Sequence, residues 1–251
     1  IPGDAHSHAG EEEQEHGAAG HGEEEAPVTI DLQSQRTEVE VAGLDPLKGF
    51  EQIKLRYVNS RYEPTEFEGS EVGTVFKGET HDSRLVLKHS PWGIWQGVFG
   101  LQYTDLDFSA VGAEAFVPTS NTRSCSVFWI ERADLGNWQL DLGLRYEDVA
   151  TTVSGTLVPG VGQAGPKADA AFQPISASAG VLWQLNELVD LSFNVAHAER
   201  APGVDELFAN GPHIATGVFE VGDPSLSKEK NLHLEGGVTV TAAGFTGSAT
   251  V

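Results

Sequence analysis

Polar and apolar residues alternate along most of this chain. The stretch 137–147 does so without exception, with Trp138, Leu140, Leu142, Leu144 and Tyr146 at even positions and Asn137, Gln139, Asp141, Gly143, Arg145 and Glu147 at odd ones. A period of two places the first set on one face of a strand and the second on the other. The same pattern sets Trp95, Phe99, Leu101 and Tyr103 against Gln96, Gly100, Gln102 and Thr104, and Val189, Leu191, Phe193 and Val195 against Asp190, Ser192 and Asn194. Leu232, Leu234, Val238 and Val240 repeat it. About ten strands are predicted from this period, near 28–44, 50–66, 76–90, 94–109, 122–134, 137–153, 173–185, 188–200, 230–242 and 245–251.

The connections say how such strands are joined. Tight turns are legible at 45–49, 90–93, 135–137, 186–187 and 242–244, and longer polar connections at 67–75, 110–121, 154–172 and 202–229. Short and long connections alternate, as in an up-and-down transmembrane barrel with short turns at one end and long loops at the other; a Greek-key sandwich has no reason to do so. Trp138 and Tyr146 close the two ends of one apolar stripe, as interfacial aromatic girdles do. The expected fold is all-β: an antiparallel up-and-down transmembrane β-barrel, present in part. The alternation also carries residues 1–27, the segment around Glu66 and the segment around His213 to the same, long-loop end.

Composition narrows the partners. A net charge of -22 excludes nucleic acid as a partner and favours cations. Cys125 is the single cysteine, so an internal disulfide and a CxxC metal site are both excluded. No run reaches the ~18 apolar residues of a membrane helix. The chain has no methionine, opens on Ile1, and ends in a strand-like 245–251 without a closing turn, so it is expected to be a piece of a longer protein.

Two units are expected: 1–27 and 28–251. The first holds His6, His8, His16 and His21 among Asp4, Glu11, Glu12, Glu13, Glu15, Glu23, Glu24 and Glu25, with no Lys or Arg. Imidazole with carboxylate is the ligand set of zinc and similar ions, so the segment reads as a chelating outer loop. A solvated tail without metal is the bland alternative. Enzyme signatures are missing: there is no HExxH helix and no GxSxG elbow. The GxGxxG spelling at 160–165 is bracketed by Pro159 and Pro166 and lacks the strand–turn–helix setting that dinucleotide binding requires. A non-enzyme without a cofactor is expected.

The block 199–213, Glu-Arg-Ala-Pro-Gly-Val-Asp-Glu-Leu-Phe-Ala-Asn-Gly-Pro-His, with Thr216, Phe219-Glu220-Val221-Gly222-Asp223-Pro224 and Lys228-Glu229, resembles a signature of TonB-dependent outer-membrane receptors. Val28–Leu32 with Gln35–Thr37, Gly73–Phe76, and Trp138 with Arg145–Glu147 look like successive barrel strands of the zinc-type members. Leu226-Ser227-Lys228-Glu229 departs from the Leu-Lys-Pro-Glu of many relatives. The resemblance implies a 22-stranded barrel with a plugged lumen, of which this chain is less than half and from which the plug is absent. It also implies a Gram-negative outer membrane, with lipid around the wall and a TonB energy-coupling partner reached through the N-terminal plug region.

Import of a transition metal follows from the same resemblance, zinc first, with copper or nickel able to use the same ligands. His213 is then a metal ligand, and Glu66, in the stretch Arg61–Gly69, is its carboxylate partner, brought near by inward folding of the loops. Pro64 stands where relatives often carry a histidine, which leaves Glu63 and Glu68 as alternatives to Glu66. His81, His89, His197 and His233 read as lumen, rim or turn residues, His197 beside Glu199 being the nearest to an exception. The competing functions are a siderophore or haem receptor and an adhesin or porin-like barrel.

Overall fold

The computed structural model describes residues 28–112, 115–158, 162–164, 167–213 and 217–251, with the side chains of 156–158 and 162–164 outside that description. The elements in order are β1 (Val28–Leu47), β2 (Phe50–Glu68), β3 (Glu71–His89), β4 (Trp95–Gly112), β5 (Ser120–Leu135), β6 (Trp138–Val153), β7 (Thr156–Val158), β8 (Gly162–Ala164), β9 (Ala168–Phe172), β10 (Ile175–Asn186), β11 (Val189–Arg200), α1 (Val204–Phe208), β12 (Asn210–His213), β13 (Val218–Val221), β14 (Glu229–Ala242) and β15 (Phe245–Thr250). One sheet runs β1-β2-β3-β4-β5-β6-β10-β11-β14-β15, each strand antiparallel to its neighbour, with β9 lengthening the β10 side against the outer end of β6. This is the expected up-and-down meander. β1 and β15 each pair on one side only, so the wall is open.

Register shows how the alternation is used. Leu85, Leu101, Val127 and Tyr146 stand opposite one another across β3 to β6, and every second residue from this row continues an apolar face. All five tryptophans lie toward the tight-turn end: Trp92 in a turn, Trp95 opposite Ala133, Trp129 opposite Phe99, and Trp138 stacked on Trp183 with ring centroids 4.6 Å apart. Tyr57, Tyr103 and Tyr146 mark the other end of the band. The opposite face is polar: Arg56 binds Glu38, Arg132 binds Asp141, Gln102 and Thr104 donate to Asp82, and the Arg84 guanidinium lies 4.6 Å from the Phe128 ring centroid. In a barrel of this architecture the apolar band faces outward and the polar face lines the lumen.

Three expectations need correction. The 67–75 connection is a turn at Gly69-Ser70, Gly69 having φ of +60°, and β2 and β3 stay paired through Phe67↔Val72 and Glu68↔Glu71 after a bulge. Beyond the apolar band both faces meet water, so alternation is lost while backbone pairing continues. Polar sequence there was mistaken for loop. The 154–172 connection contains the paired strands β7 and β8 and then β9, and the described part of its glycine spelling, Gly162–Ala164, is strand β8. The 202–229 connection contains α1, a single helical turn and the one helix among the described residues, and the β12–β13 hairpin.

A wall has no interior of its own, and buried apolar residues collect where a loop folds onto it. Phe116, Val117 and Ala209 form that cluster, packed against Phe76, Phe108 and Val204. Outside it, Val39, Val41, Leu55, Leu101, Val127 and Leu144 are exposed on the apolar face. Two unpaired edges and such a face favour aggregation in water. Produced alone, the chain is expected to sediment unless detergent is present; a monodisperse monomer in plain buffer would contradict an outward apolar band.

Candidate functional site

The loop between β11 and β14 is tied at its base. Glu199 and Arg200 end β11, opposite Lys230 and Glu229 of β14. The Arg200 guanidinium donates to both oxygens of Glu206, at 2.9 and 2.8 Å, and to Glu229 at 2.9 Å. Glu199 accepts from the Lys228 ammonium and from the Ile175 backbone N–H, the latter at 3.0 Å. Glu206 also accepts the Gly203 N–H at 2.6 Å, which secures the start of α1. These bonds hold both carboxyls down at about 2 instead of 4.5: for Glu199 chiefly the Lys228 hydrogen bond, for Glu206 chiefly the Arg200 one.

Depressed carboxyl pKa values contribute stability that is present above 4.5 and lost as pH falls toward about 2. Hydrogen-exchange protection of the 204–213 amides is therefore expected to hold down to about pH 4.5 and to fall below it. Protection unchanged at pH 2.5 would mean that the ion pairs do not restrain the loop.

The tip of the loop reaches across several strands. The Asn210 N–H donates to Phe116 O at 2.8 Å, the Gly222 N–H to Ala209 O at 2.7 Å, and the Asp223 N–H to Glu206 O at 2.9 Å. Gly222 sits where a Cβ would lie 2.6 Å from Leu207 C and from Phe208 N, so only glycine admits this contact between β13 and α1. Leu207 is fully buried beneath it. The tip thus covers Phe76 and Phe108, polar-face residues of β3 and β4, although its own strands are β11 and β14.

His213 ends β12. Its Nδ1 lies 2.6 Å from Glu220 Oε1 on β13, and its ring is stacked on Phe116, centroids 4.3 Å apart with 20° between planes. Phe116 in turn meets Phe76 edge-on at 6.2 Å. Glu66 stands opposite Thr74, two residues before Phe76 on the same face. The inward fold of the loop thus carries His213 toward the sector of wall that holds Glu66, with two phenylalanine rings between them. The carboxylate touching His213 is Glu220. Among the described residues no group of three or more His, Cys, Asp or Glu side chains is placed to hold a metal ion. His6, His8, His16 and His21 lie outside the described residues.

The other histidines take separate places. His81 Nδ1 is 2.8 Å from the Tyr57 hydroxyl, His197 is beside Glu199 at 3.6 Å, and His233 is beside Glu235 at 3.6 Å. His89, read from sequence as a lumen, rim or turn residue, follows Leu85 and Leu87 on the apolar face of β3, fully buried and 2.8 Å from buried Glu131. The signal for that pair was available, because Glu131 follows Val127 and Trp129 on the apolar positions of β5. Glu220 was also missed as a partner, its strand being hidden in a connection read as loop.

A family model described as TonB dependent receptor-like, beta-barrel matches residues 33–251. Among solved structures, the chain is similar to the copper transporter OprC, at 14% identity and a TM-score of 0.75 over 90% of this chain and 39% of that one. It is similar to the FrpB iron transporter from Neisseria meningitidis (14%, 0.63, 88% and 36%). It is also similar to the Serratia marcescens hemophore receptor HasR, a double mutant in complex with its hemophore HasA and heme (16%, 0.66, 85% and 37%). At these identities the likeness is one of fold, and the chain spans less than two fifths of each of these proteins. The meander, its polar and apolar faces and the family match over 33–251 agree: this chain belongs to the TonB dependent receptor-like β-barrel family.

Proposed function

We propose that this chain is part of the wall of an outer-membrane receptor that captures a transition metal ion at its outer mouth and imports it, zinc being the first substrate. The observation that carries the reading is the His213–Glu220 pair on a loop folded over the polar face. A carboxylate on Nδ1 fixes the ring and its tautomer, the arrangement that commonly stands behind a metal-ligating imidazole, and places the lone pair on Nε2. Glu66 on the neighbouring sector of wall is the candidate carboxylate ligand. Residues 1–27, with His6, His8, His16 and His21, supply a weaker gathering site. Import against a gradient then falls to a plug and a TonB partner, through regions beyond this chain.

A second reading, capture of a metal chelate such as haem, is favoured by the same His213–Glu220 pair, since an oriented imidazole also ligates haem iron. The net charge of -22 opposes an anionic chelate. Isothermal titration of the receptor that carries this chain, and of a 1–27 peptide, separates the two. Zinc or copper binding at about micromolar Kd or tighter supports metal capture. Haem binding without metal binding moves the function to the second reading, and binding of neither overturns both.

A further inference from the structure

Two guanidinium groups of the polar face line one recess with no carboxylate between them. The Phe128 ring of β5 lies over Gly100 of β4, filling the space a Cβ would need, and the Arg84 guanidinium of β3 rests 4.6 Å from its centroid. Among the described residues none of the five N–H donors of Arg84 has an acceptor. Asp82, two residues away on the same face, accepts from Gln102 and Thr104 instead. Arg145 of β6 stands opposite Phe128. Its Nε and Nη2 donate to one oxygen of Glu147 and its Nη1 to Gln102 Oε1 at 3.4 Å, so two of its N–H groups remain, on a side chain 34% exposed.

The recess is open, about 340 Å³, and lined by Arg84, Arg145 and Phe128 with Ser176, Ser178 and Ala198 among the residues that complete it. No carboxylate lines it, although the chain as a whole carries a charge of -22. Ser176 Oγ accepts the Glu199 N–H at 3.1 Å and keeps its own proton to donate. The exposed Ser178 hydroxyl is accommodated by Gly143 opposite, where a Cβ would lie 2.6 Å from Oγ. Like charges turned into one recess repel unless an anion joins them. Guanidinium forks with hydroxyl donors match an oxyanion, and the carbon surface of Phe128, Ile130 and Ala198 suits an organic body that inorganic phosphate lacks. Ala198 precedes Glu199 and Arg145 precedes Tyr146, so the recess lies beneath the tied base of the loop, level with the outer tyrosines. Its place on the lumen side rests on the membrane-receptor reading. We infer that it binds a small organic carboxylate, with Arg84 and Arg145 on the charged group, Ser178 as a further donor and Phe128 against the carbon body.

The test is calorimetric titration of the receptor that carries this chain, in detergent at low ionic strength, with succinate, and with succinamide and inorganic phosphate as controls. Wild type is expected to bind succinate with a Kd of about 0.1–1 mM and each control at least about tenfold more weakly. Arg84→Gln removes no hydrogen bond of the folded chain and should weaken succinate about tenfold or more, and Ser178→Ala about threefold, both with the wild-type melting temperature. No succinate binding by wild type, equal binding of phosphate or succinamide, or wild-type affinity in Arg84→Gln overturns the inference. A wild type that ignores succinate, with a melting temperature lowered by Arg84→Gln, also overturns it, because an acidic side chain of the receptor itself then fills the recess. Zinc titrated into the same samples keeps the two readings apart: zinc bound without succinate removes this inference alone, and succinate bound without zinc removes the metal reading alone.

Discussion

His213→Ala is expected to weaken zinc binding by the receptor that carries this chain by tenfold or more, and to slow zinc-limited growth in parallel. Loss of the imidazole removes a nitrogen donor, and no other histidine of the described loop can replace it. Glu220→Gln should cost about tenfold, the lower end of the range for residues that orient a ligand. The amide still accepts from Nδ1 but no longer raises the basicity of the ring. Glu66→Ala separates two geometries. A loss like that of His213→Ala places Glu66 on the metal, and wild-type binding limits the site to the loop. Wild-type zinc uptake by both His213→Ala and Glu66→Ala would falsify the assigned pair while leaving the barrel untouched.

Gly222→Ala is expected to open the loop. Its Cβ would meet three backbone atoms, Leu207 C and Phe208 N at 2.6 Å and Ala209 N at 2.8 Å, so no side-chain rotation relieves the contact. Overpacking of this kind costs about 1–3 kcal/mol or more. The β12–β13 hairpin must then lift from α1, and burial of Leu207 and Ala209 is lost with it. Limited proteolysis of the receptor in detergent should show cleavage within 201–228 that wild type resists, while the strands stay protected. Gly236→Ala is the control, having open space at its Cβ and an ordinary φ. Equal protease resistance in Gly222→Ala would mean that the hairpin is not packed as described.

How much of this was legible in the sequence depended on whether one face of a strand met something apolar. From Trp138 to Tyr146 it does, and the stripe, its faces and the turn before it at Gly136 were readable residue by residue. Above the band, Glu63, Glu66, Glu68 and Glu71 are polar on both faces, and pairing there rests on backbone hydrogen bonds that leave no mark on side-chain choice. The inner loop was hidden for a different reason. α1 is five residues long, too short for a helical period, and β12 and β13 are four each, one of them containing Pro212. The folded hairpin that joins His213 to Glu220 therefore looked like a connection. The Glu199–Glu229 block identified the region as special without showing which of its carboxylates would meet the histidine.

The aromatic belts set a length. Trp95 and Tyr103 lie on the same face of β4, eight residues apart, about 27 Å along the strand at ~3.4 Å per residue. Tilted by the 35–45° usual for such barrels, that span is about 19–22 Å of vertical height. Hydrocarbon as thick as that of an average bilayer, about 30 Å, would bury Tyr57 or Trp138 or force the surrounding lipids to compress, at a fraction of a kcal/mol per Å. The wall is thus cut to a thin membrane, and the same dimension tends to exclude it from any thicker one.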